Sequence, residues 1–193
     1  MLNAISTYQR HGNEDPLVVR TLSLLERGLV QIKDTVAALL VEAKVESHPL
    51  TRQDIEDTHT LVVADAHRKA ARFTWENDIV ATLPLPSTLV RQVLINLMLN
   101  AVQAIGPDGS VACHVYRDSS TLHVVVRNDG SHIPPEQMAH LFEPFASARE
   151  TGHGLGLWVT YQIVTQLGGE ISVDSAPGET RFEVILPLPE QAA

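Results

Sequence analysis

The feature that most constrains this chain is a row of polar side chains on an otherwise apolar segment, Thr88 to Ile105. The apolar content predicts a helix that is buried over most of its surface. Four amide side chains interrupt the segment at spacings of four, four and three residues, which places them on one helical face: Gln92, Asn96, Asn100 and Gln103. A buried amide without a hydrogen-bond partner costs about 1–3 kcal/mol. Neighbouring backbone can satisfy a single asparagine, whereas a row of amides favours a ligand, ordered water or a metal ion.

A glycine-rich segment, Gly152-His-Gly154-Leu155-Gly156-Leu157, precedes a second apolar helix predicted over residues 155–167. Glycine at alternate positions lets backbone N–H groups approach an anion, and the dipole of the following helix favours negative charge. The segment lacks the Lys-Ser/Thr of a P-loop, and no strand leads into it as in a dinucleotide-binding fingerprint. It indicates either a phosphate site of another type or a flexible loop before a core helix.

A strand predicted over residues 121–127 runs into the sequence Asn128-Asp129-Gly130. A carbonyl or carboxylate oxygen at a strand end can accept a hydrogen bond from an adenine amino group, and Gly130 would let the base approach the backbone. The same three residues also suit an ordinary turn.

The order of the predicted elements indicates an α+β fold. Residues 1–12 and 15–45 predict the end of one helix and a second helix, which form a helical hairpin remnant. Beyond the break at residues 47–49, strands and helices do not alternate regularly. This order favours a two-layer α/β sandwich, with one mixed sheet and helices on one face. The remaining predictions are helices at 54–69 and 134–142, strands at 72–76, 110–116, 171–174 and 180–186, and a loop at 83–86.

Composition excludes several classes of protein. The net charge of −9 argues against a nucleic-acid or anionic-membrane partner, because both bind clustered Lys and Arg. The only cysteine, Cys113, leaves no intramolecular disulfide and no thiolate metal site. No apolar run approaches the ~20 residues of a membrane span. We therefore expect a cytoplasmic protein, or the cytoplasmic part of a membrane-anchored sensor, with no direct membrane contact by this segment.

In their order, these motifs resemble the GHKL superfamily, the ATP-binding folds of gyrase, Hsp90, histidine kinases and MutL, also called the Bergerat fold. Within it, the chain is most similar to bacterial sensor histidine kinases, over about residues 49–188. The resemblance is carried by an N box at Gln92–Ala104, a G1 box at Asn128–Pro135, an F box at Leu141–Phe145, a G2 box at Gly152–Leu157, and closing strands within Gly168–Phe182.

The resemblance implies that ATP and Mg²⁺ are the cofactors. It assigns Asn100 as the magnesium ligand and Asn96 as its neighbour beside the metal and the phosphates. The adenine end would be held by Asn128 or Asp129, Gly130 and Thr180. The lid over the triphosphate would be based on Gly152, Gly154, Leu155 and Gly156 and anchored by Phe145.

Two positions depart from the family pattern: Asn128 stands where aspartate is usual, and His132 where glycine is usual. Asn128 can still accept a hydrogen bond, and Asp129 is adjacent, so the pattern leaves open which of them contacts adenine. Related ATPases in the superfamily carry a glutamate as general base at the place of Asn96. An amide cannot take a proton from water at neutral pH, so Asn96 favours phosphoryl transfer to an acceptor over hydrolysis.

The family carries its phosphorylated histidine on the first helix of a helical hairpin. His11 imitates the spacing of that motif, but Gly12 replaces the acidic neighbour, and only one long helical run, 17–45, follows it. We therefore expect residues 1–46 to be a partial dimerisation hairpin without the acceptor histidine, and residues 47–193 to be the catalytic ATP-binding domain. Such a chain should bind ATP·Mg²⁺ without phosphorylating itself.

The expected partners are ATP, a cognate response regulator and, through the hairpin, a second copy of the full-length protein. Two other functions share this pocket: a relay or binding protein with degenerate chemistry, and an anti-sigma-type serine kinase. The intact N box and glycine-rich segment argue against the first, and the N-terminal hairpin argues against the second. A chaperone- or mismatch-repair-type ATPase fits least well because of Asn96.

Overall fold

The computed structural model describes residues 27–28, 47–68, 70–143 and 155–189. The chain divides into two compact units, Met1–Lys44 and Val45–Ala193. Apart from the two residues 27–28, everything described below belongs to the second unit. The hairpin expected over residues 1–46 lies almost wholly outside the described residues and stays a prediction.

Eleven helices and strands make up the described part of the second unit. Their bounds, in chain order, are β1 (Pro49–Leu50), α1 (Arg52–Arg68), β2 (Arg72–Asn77), β3 (Leu83–Pro86), α2 (Ser87–Ala104), β4 (Ser110–Arg117), β5 (Thr121–Asn128), α3 (Pro135–Met138), α4 (Gly156–Gln166), β6 (Glu170–Ala176) and β7 (Glu179–Pro187).

Five strands form one mixed sheet in the order β2-β4-β5-β7-β6. The β2–β4 pair is parallel, and the other three pairs are antiparallel. A parallel pair needs a crossover connection, and here α2 lies within it. Alternate residues of β4 and β7 are buried, and β5 is buried at its alternate positions and at Val125. The helices α1, α2 and α4 pack against the sheet, and α1 and α4 each pack against α2. The predicted α+β sandwich with a mixed sheet is confirmed.

The prediction of a loop over residues 83–86 was wrong. Leu83–Pro86 is strand β3, which pairs antiparallel with β1 in a separate two-stranded sheet. Leu83 and Leu85 are buried whereas Pro84 is exposed, which is the alternation of a strand. The prolines suggested a break because proline cannot donate to a ladder, but a strand at the edge of a sheet tolerates them.

Two other predicted elements have different limits in the structure. The break at residues 47–49 contains the start of β1, so it is not wholly a linker. The helix predicted over residues 134–142 is the single turn α3.

The core lies between the sheet and the helices, and α2 supplies much of it. Its fully or almost fully buried apolar residues are Val90, Val93, Leu94, Leu97, Met98, Ala101 and Val102. The strands contribute, among others, Val111, Val115, Leu122, Val124, Val126, Phe182, Val184 and Leu186. Burying one Val, Leu or Met side chain stabilises the fold by about 1.5–3 kcal/mol. The apolar face of α2 is therefore a principal anchor of the helical layer.

Side chains from preceding residues cap the first turns of α1 and α2. In α1, the Thr51 backbone N–H donates to Asp54 Oδ2 at 2.9 Å, and Thr51 Oγ1 accepts from the Asp54 N–H at 3.2 Å, which is a reciprocal capping box. In α2, Pro86 has no side-chain polar group for the task. Ser47 Oγ takes its place and accepts from the Thr88 N–H at 3.0 Å.

We expect Thr51→Ala to lower the free energy of unfolding by about 1 kcal/mol, because it removes the hydroxyl that caps α1. Urea unfolding followed by circular dichroism measures the change. Thr60→Ala is the matched control, since Thr60 is an exposed threonine on the same helix that donates to the Glu56 carbonyl oxygen at 3.0 Å. Its unfolding free energy should stay within about 0.5 kcal/mol of the parent. Equal losses in the two variants would contradict the capping role.

The same capping box makes stability depend on pH. Burial raises the pKa of Asp54, but hydrogen bonds from Thr51 and His48 outweigh burial and hold the pKa below its ordinary value of 3.8. The unfolded chain therefore takes up this proton first, and the stabilising contribution of Asp54 is present above about pH 4 and is lost as the pH falls further.

We expect the free energy of unfolding to fall less steeply from about pH 5 to about pH 3 in Asp54→Asn than in the parent chain, because the variant lacks this proton uptake. Urea unfolding at a series of pH values gives the slope. Asp57→Asn removes an exposed carboxylate from the same helix and serves as the control. If the unfolding free energy of Asp54→Asn falls with pH as steeply as that of the parent, then Asp54 does not contribute to the pH dependence.

Candidate nucleotide site

The amide row of α2 is hydrogen-bonded to the first turn of α4. Asn96 Nδ2 donates to the Gly156 carbonyl oxygen at 3.1 Å and to Thr160 Oγ1 at 3.3 Å. Asn96 Oδ1 accepts from Gln92 Nε2 at 2.8 Å. Both ends of the Asn96 carboxamide are therefore satisfied within the protein, and they tie two helices together.

Asn100 lies one helical turn beyond Asn96 and differs from it. Its side chain is half-buried and makes no hydrogen bond to any of the described residues. The amide row thus divides into a part that binds neighbouring protein groups and a part that is available to a ligand. Backbone groups satisfy only part of the amide row, and only part of it is open to a ligand.

The start of α4 brings the end of the glycine-rich segment beside Asn96. Leu155 is buried just before the helix, and Gly156 is its first, exposed residue. The Gly156 carbonyl oxygen also accepts from Thr160 Oγ1 at 2.8 Å. The other proposed lid residues lie outside the described residues: Phe145, Gly152 and Gly154.

Asn128 is buried at the end of β5. It is in phase with the helix-facing residues Leu122, Val124 and Val126, and only 4% of its surface is exposed. Its Nδ2 atom is buried without a hydrogen-bond partner among the described residues. Directly opposite on β7 stands Thr180, which is also buried. Two polar side chains therefore share the helix-facing end of two neighbouring strands.

Asp129 turns away from that pair. Its carboxylate accepts from the Ser110 backbone N–H at 2.8 Å and from Ser110 Oγ at 2.7 Å. These two bonds hold the pKa of Asp129 below its ordinary value. Asp129 links the end of β5 to Ser110, the first residue of the neighbouring strand β4, so the two candidates for base contact have separate surroundings. His132, the second departure from the family pattern, is exposed.

Gly130 passes the end of α2 at a distance that excludes any side chain. A Cβ atom there would lie 2.4 Å from the Ala104 carbonyl oxygen and 2.8 Å from Asn128 Nδ2. The next residue, Ser131, donates its backbone N–H to the same carbonyl oxygen at 3.4 Å. Glycine at position 130 is thus required for the close approach of this loop to α2.

A chain of hydrogen bonds holds Thr180 in place. Thr180 Oγ1 lies 2.7 Å from Ser175 Oγ on β6, and Ser175 Oγ accepts from the Ile133 N–H at 2.9 Å. The sequence analysis missed Ser175 because nothing in the sequence alone pairs it with Thr180. The only available signal was its position across the turn between the last two predicted strands.

A second contact missed from the sequence joins the F box to α4. The rings of Phe142 and Tyr161 stack with their centroids 5.6 Å apart. Among the described residues, no group of three or more His, Cys, Asp or Glu side chains could hold a metal ion. None of the described helices is both long and apolar enough to span a bilayer.

Comparison with known proteins identifies the family. Residues 86–190, more than half of the chain, match the family described as histidine kinase-, DNA gyrase B- and HSP90-like ATPase. The chain belongs to this ATPase family. The match includes α2, the β5 end with Asn128, the start of α4 and both closing strands. The proposed site residues therefore all fall within the ATPase domain.

Relatives of this ATPase domain are bacterial kinases. The sensory histidine kinase/phosphatase NtrB of Salmonella typhimurium is 36% identical over 117 residues, which cover 55% of this chain and 34% of NtrB. Sporulation kinase A of Bacillus subtilis is 38% identical over 99 residues, which cover 51% of this chain and 16% of that kinase. The chain therefore spans about a third or less of the length of these relatives.

Solved structures agree with the fold of the ATPase domain. The catalytic domain of the histidine kinase ThkA, in a nucleotide-free form, superposes with a TM-score of 0.66 and 26% identity, covering 75% of this chain and 99% of that one. Full-length ShkA in complex with AMPPNP has a TM-score of 0.72 over 94% of this chain and 40% of its own, and at 22% identity it supports the fold alone. The predicted histidine kinase-type catalytic domain is confirmed.

We expect Gly130→Ala to lower the free energy of unfolding of the ATPase domain by about 1–3 kcal/mol, because the added methyl overlaps the Ala104 carbonyl oxygen. Thermal unfolding measures the loss. Gly106→Ala is the matched control, since a Cβ atom there meets nothing within 4 Å. That control should unfold within about 0.5 kcal/mol of the parent. A parent-like midpoint for Gly130→Ala would show that the loop relaxes without cost.

Proposed function

We propose that this domain binds ATP with Mg²⁺ and transfers the γ-phosphoryl group to a histidine, as the catalytic part of a two-component sensor kinase. The observation that carries the proposal is the division of the amide row. Asn96 binds α4, whereas the half-buried Asn100 beside it has no partner among the described residues. Family membership and the kinase relatives supply the class of reaction.

Asn100 fits the role of magnesium ligand. Mg²⁺ prefers oxygen ligands and usually takes only one or two protein groups together with substrate phosphates and water. A single amide oxygen, such as that of the half-buried Asn100, meets that need. When bound through Asn100, Mg²⁺ would supply positive charge that offsets the negative charge of the transferred phosphoryl group.

Asn96 would stand beside the metal and the phosphates and would favour transfer over hydrolysis. Its oxygen accepts from Gln92 and its nitrogen donates to Gly156, so the side chain is held rigidly. An amide has no basic site for a water proton at neutral pH. A positioned acceptor side chain, here a histidine, would then be the group that attacks the γ-phosphorus.

The adenine end would be formed by Asn128, Gly130 and Thr180. Asn128 is proposed over Asp129 because the carboxylate of Asp129 is engaged by Ser110, while the amide nitrogen of Asn128 is buried without a partner. Gly130 holds its loop against the end of α2 beside Asn128 Nδ2, and Thr180 offers a hydroxyl on the neighbouring strand.

The triphosphate would lie at the start of α4. Gly156 begins this 11-residue helix, and its N-terminal end carries unpaired backbone N–H groups and a favourable dipole for anions. Gly152, Gly154 and Leu155 would continue the lid, and Phe145 would anchor it. These roles follow from the resemblance of the glycine-rich segment to the G2 box.

The whole protein would use this domain in signalling. We propose that it works in the cytoplasm, with the acceptor histidine on a dimerisation hairpin and a cognate response regulator as the final phosphoryl acceptor. Residues 1–46 would belong to that hairpin. The relatives that this chain matches are named as sensory and sporulation kinases, which supports a signalling role.

Calorimetric titration with a non-hydrolysable ATP analogue and Mg²⁺ tests the proposal. We expect saturable binding by the parent chain and a loss of at least about tenfold in affinity for Asn100→Ala, which corresponds to about 1.4 kcal/mol. Gln162→Ala, which removes an exposed amide from α4, should bind like the parent. An unchanged affinity for Asn100→Ala would remove the metal role from that residue.

Steady-state phosphate release separates transfer from hydrolysis. With Asn96 in place of a general base, we expect the parent chain to release phosphate from ATP at a rate near background, although it binds the nucleotide. Sustained multiple turnover with water as the acceptor would instead indicate an ATPase of the chaperone or mismatch-repair type.

A further inference from the structure

The buried end of β5 carries a hydrogen-bond donor without a partner. Asn128 is 4% exposed, and its Nδ2 atom finds no acceptor among the described residues. A buried N–H that stays unpaired is costly. The site therefore favours a ligand that brings an acceptor atom to this position, in addition to any donor that the Asn128 oxygen can bind.

A carboxamide at this place can pair with two kinds of base edge. It presents one acceptor and one donor side by side, and a half-turn about its terminal bond exchanges them. Adenine offers an amino donor beside a ring-nitrogen acceptor, whereas guanine offers a carbonyl acceptor beside an N–H donor. The amide of Asn128 can match either edge. A carboxylate, which only accepts, would bind the adenine amino group and oppose the guanine carbonyl oxygen.

The second polar group at this end is equally adaptable. The Thr180 hydroxyl can donate or accept. It stands directly opposite Asn128 across β5 and β7, and residues so paired have Cβ atoms about 4.5–5.5 Å apart. Ser175 Oγ accepts a hydrogen bond from the Ile133 N–H, so its own hydroxyl can donate to Thr180 Oγ1, which leaves the Thr180 O–H available as a donor. Neither side chain therefore fixes the polarity of the base edge.

We infer that this chain accepts guanine as well as adenine nucleoside triphosphates, and that Asn128 is the residue that sets this breadth. The inference rests on the proposed function, because it concerns the same pocket. The substrate class is then the purine nucleoside triphosphates, because the carboxamide of Asn128 can pair with either base edge.

Displacement of a fluorescent ribose-labelled ATP analogue by ATP and by GTP, each with Mg²⁺, tests the inference. In the parent chain we expect the two dissociation constants to agree within about tenfold. In Asn128→Asp we expect GTP to bind at least about 30-fold more weakly relative to ATP, because the carboxylate cannot donate to the guanine carbonyl oxygen. The parent ratio alone tests the inference if the variant proves unfolded by circular dichroism.

Arg127→Gln is the matched control. It changes the net charge by the same amount as Asn128→Asp, and Arg127 is exposed on the opposite side of β5. Its ratio of ATP to GTP affinity should equal that of the parent. A parent chain that binds ATP but rejects GTP by about a hundredfold or more would overturn the purine inference alone. An unchanged ratio in a folded Asn128→Asp would do the same, and a parent that binds neither nucleotide would overturn the proposed function as well.

Discussion

The fold depends on the two opposed requirements that α2 must meet. One face must bury Leu97, Met98 and Ala101 in the core, and the other must find partners for a row of amides. An amide turned into the core would lose its hydrogen bonds, and an apolar face turned to water would lose its burial, so only one rotation of the helix satisfies both. Because α1, α4, β4 and β5 all contact α2, this rotation also sets their places.

The hydrogen bond from Asn96 to Gly156 has two effects, one on helix packing and one on the proposed phosphate site. Its donation to the Gly156 carbonyl oxygen fixes where α4 begins, and the start of α4 is where a phosphate would lie. The helix N–H groups of the proposed phosphate site are therefore positioned by a hydrogen bond between two helices of the protein itself. Such preorganisation of the start of α4 would lower the cost of binding a nucleotide there.

Local periodicity was sufficient to predict most of the fold. The helix predicted over residues 88–105 is Ser87–Ala104, and the hairpin of β4 and β5 lies where the alternating residues place it. The prediction for β3 was wrong, because its prolines suggest a loop and its partner strand β1 lies more than thirty residues earlier. The sequence analysis also missed the cap that Ser47 gives to α2, which joins residues 41 positions apart. Pairings of this kind depend on the completed fold.

In the candidate site too, local sequence motifs were predicted and contacts between distant segments were not. The amides, glycines and Thr180 were recognised from motif order, but the choice between Asn128 and Asp129 was left open. Strand periodicity separates the two: Asn128 is in phase with the buried residues of β5 and faces the helices, whereas Asp129 accepts from Ser110. We propose the adenine contact for Asn128 on that ground. The link from Thr180 through Ser175 to Ile133 joins two strands and a loop, and no single stretch of sequence contains it.

The spacing along α2 sets a length for whatever ligand spans the site. Asn96, Asn100 and Ala104 follow one another by one turn each, and Ala104 is the residue that Gly130 approaches. At a rise of 1.5 Å per residue, the proposed phosphate end and the proposed base end of the site would be separated by about 12 Å along this helix. A ligand with a shorter or longer link between its ring and its anionic end can engage only one of them. A single residue inserted between Asn96 and Ala104 would turn one end by about 100° relative to the other.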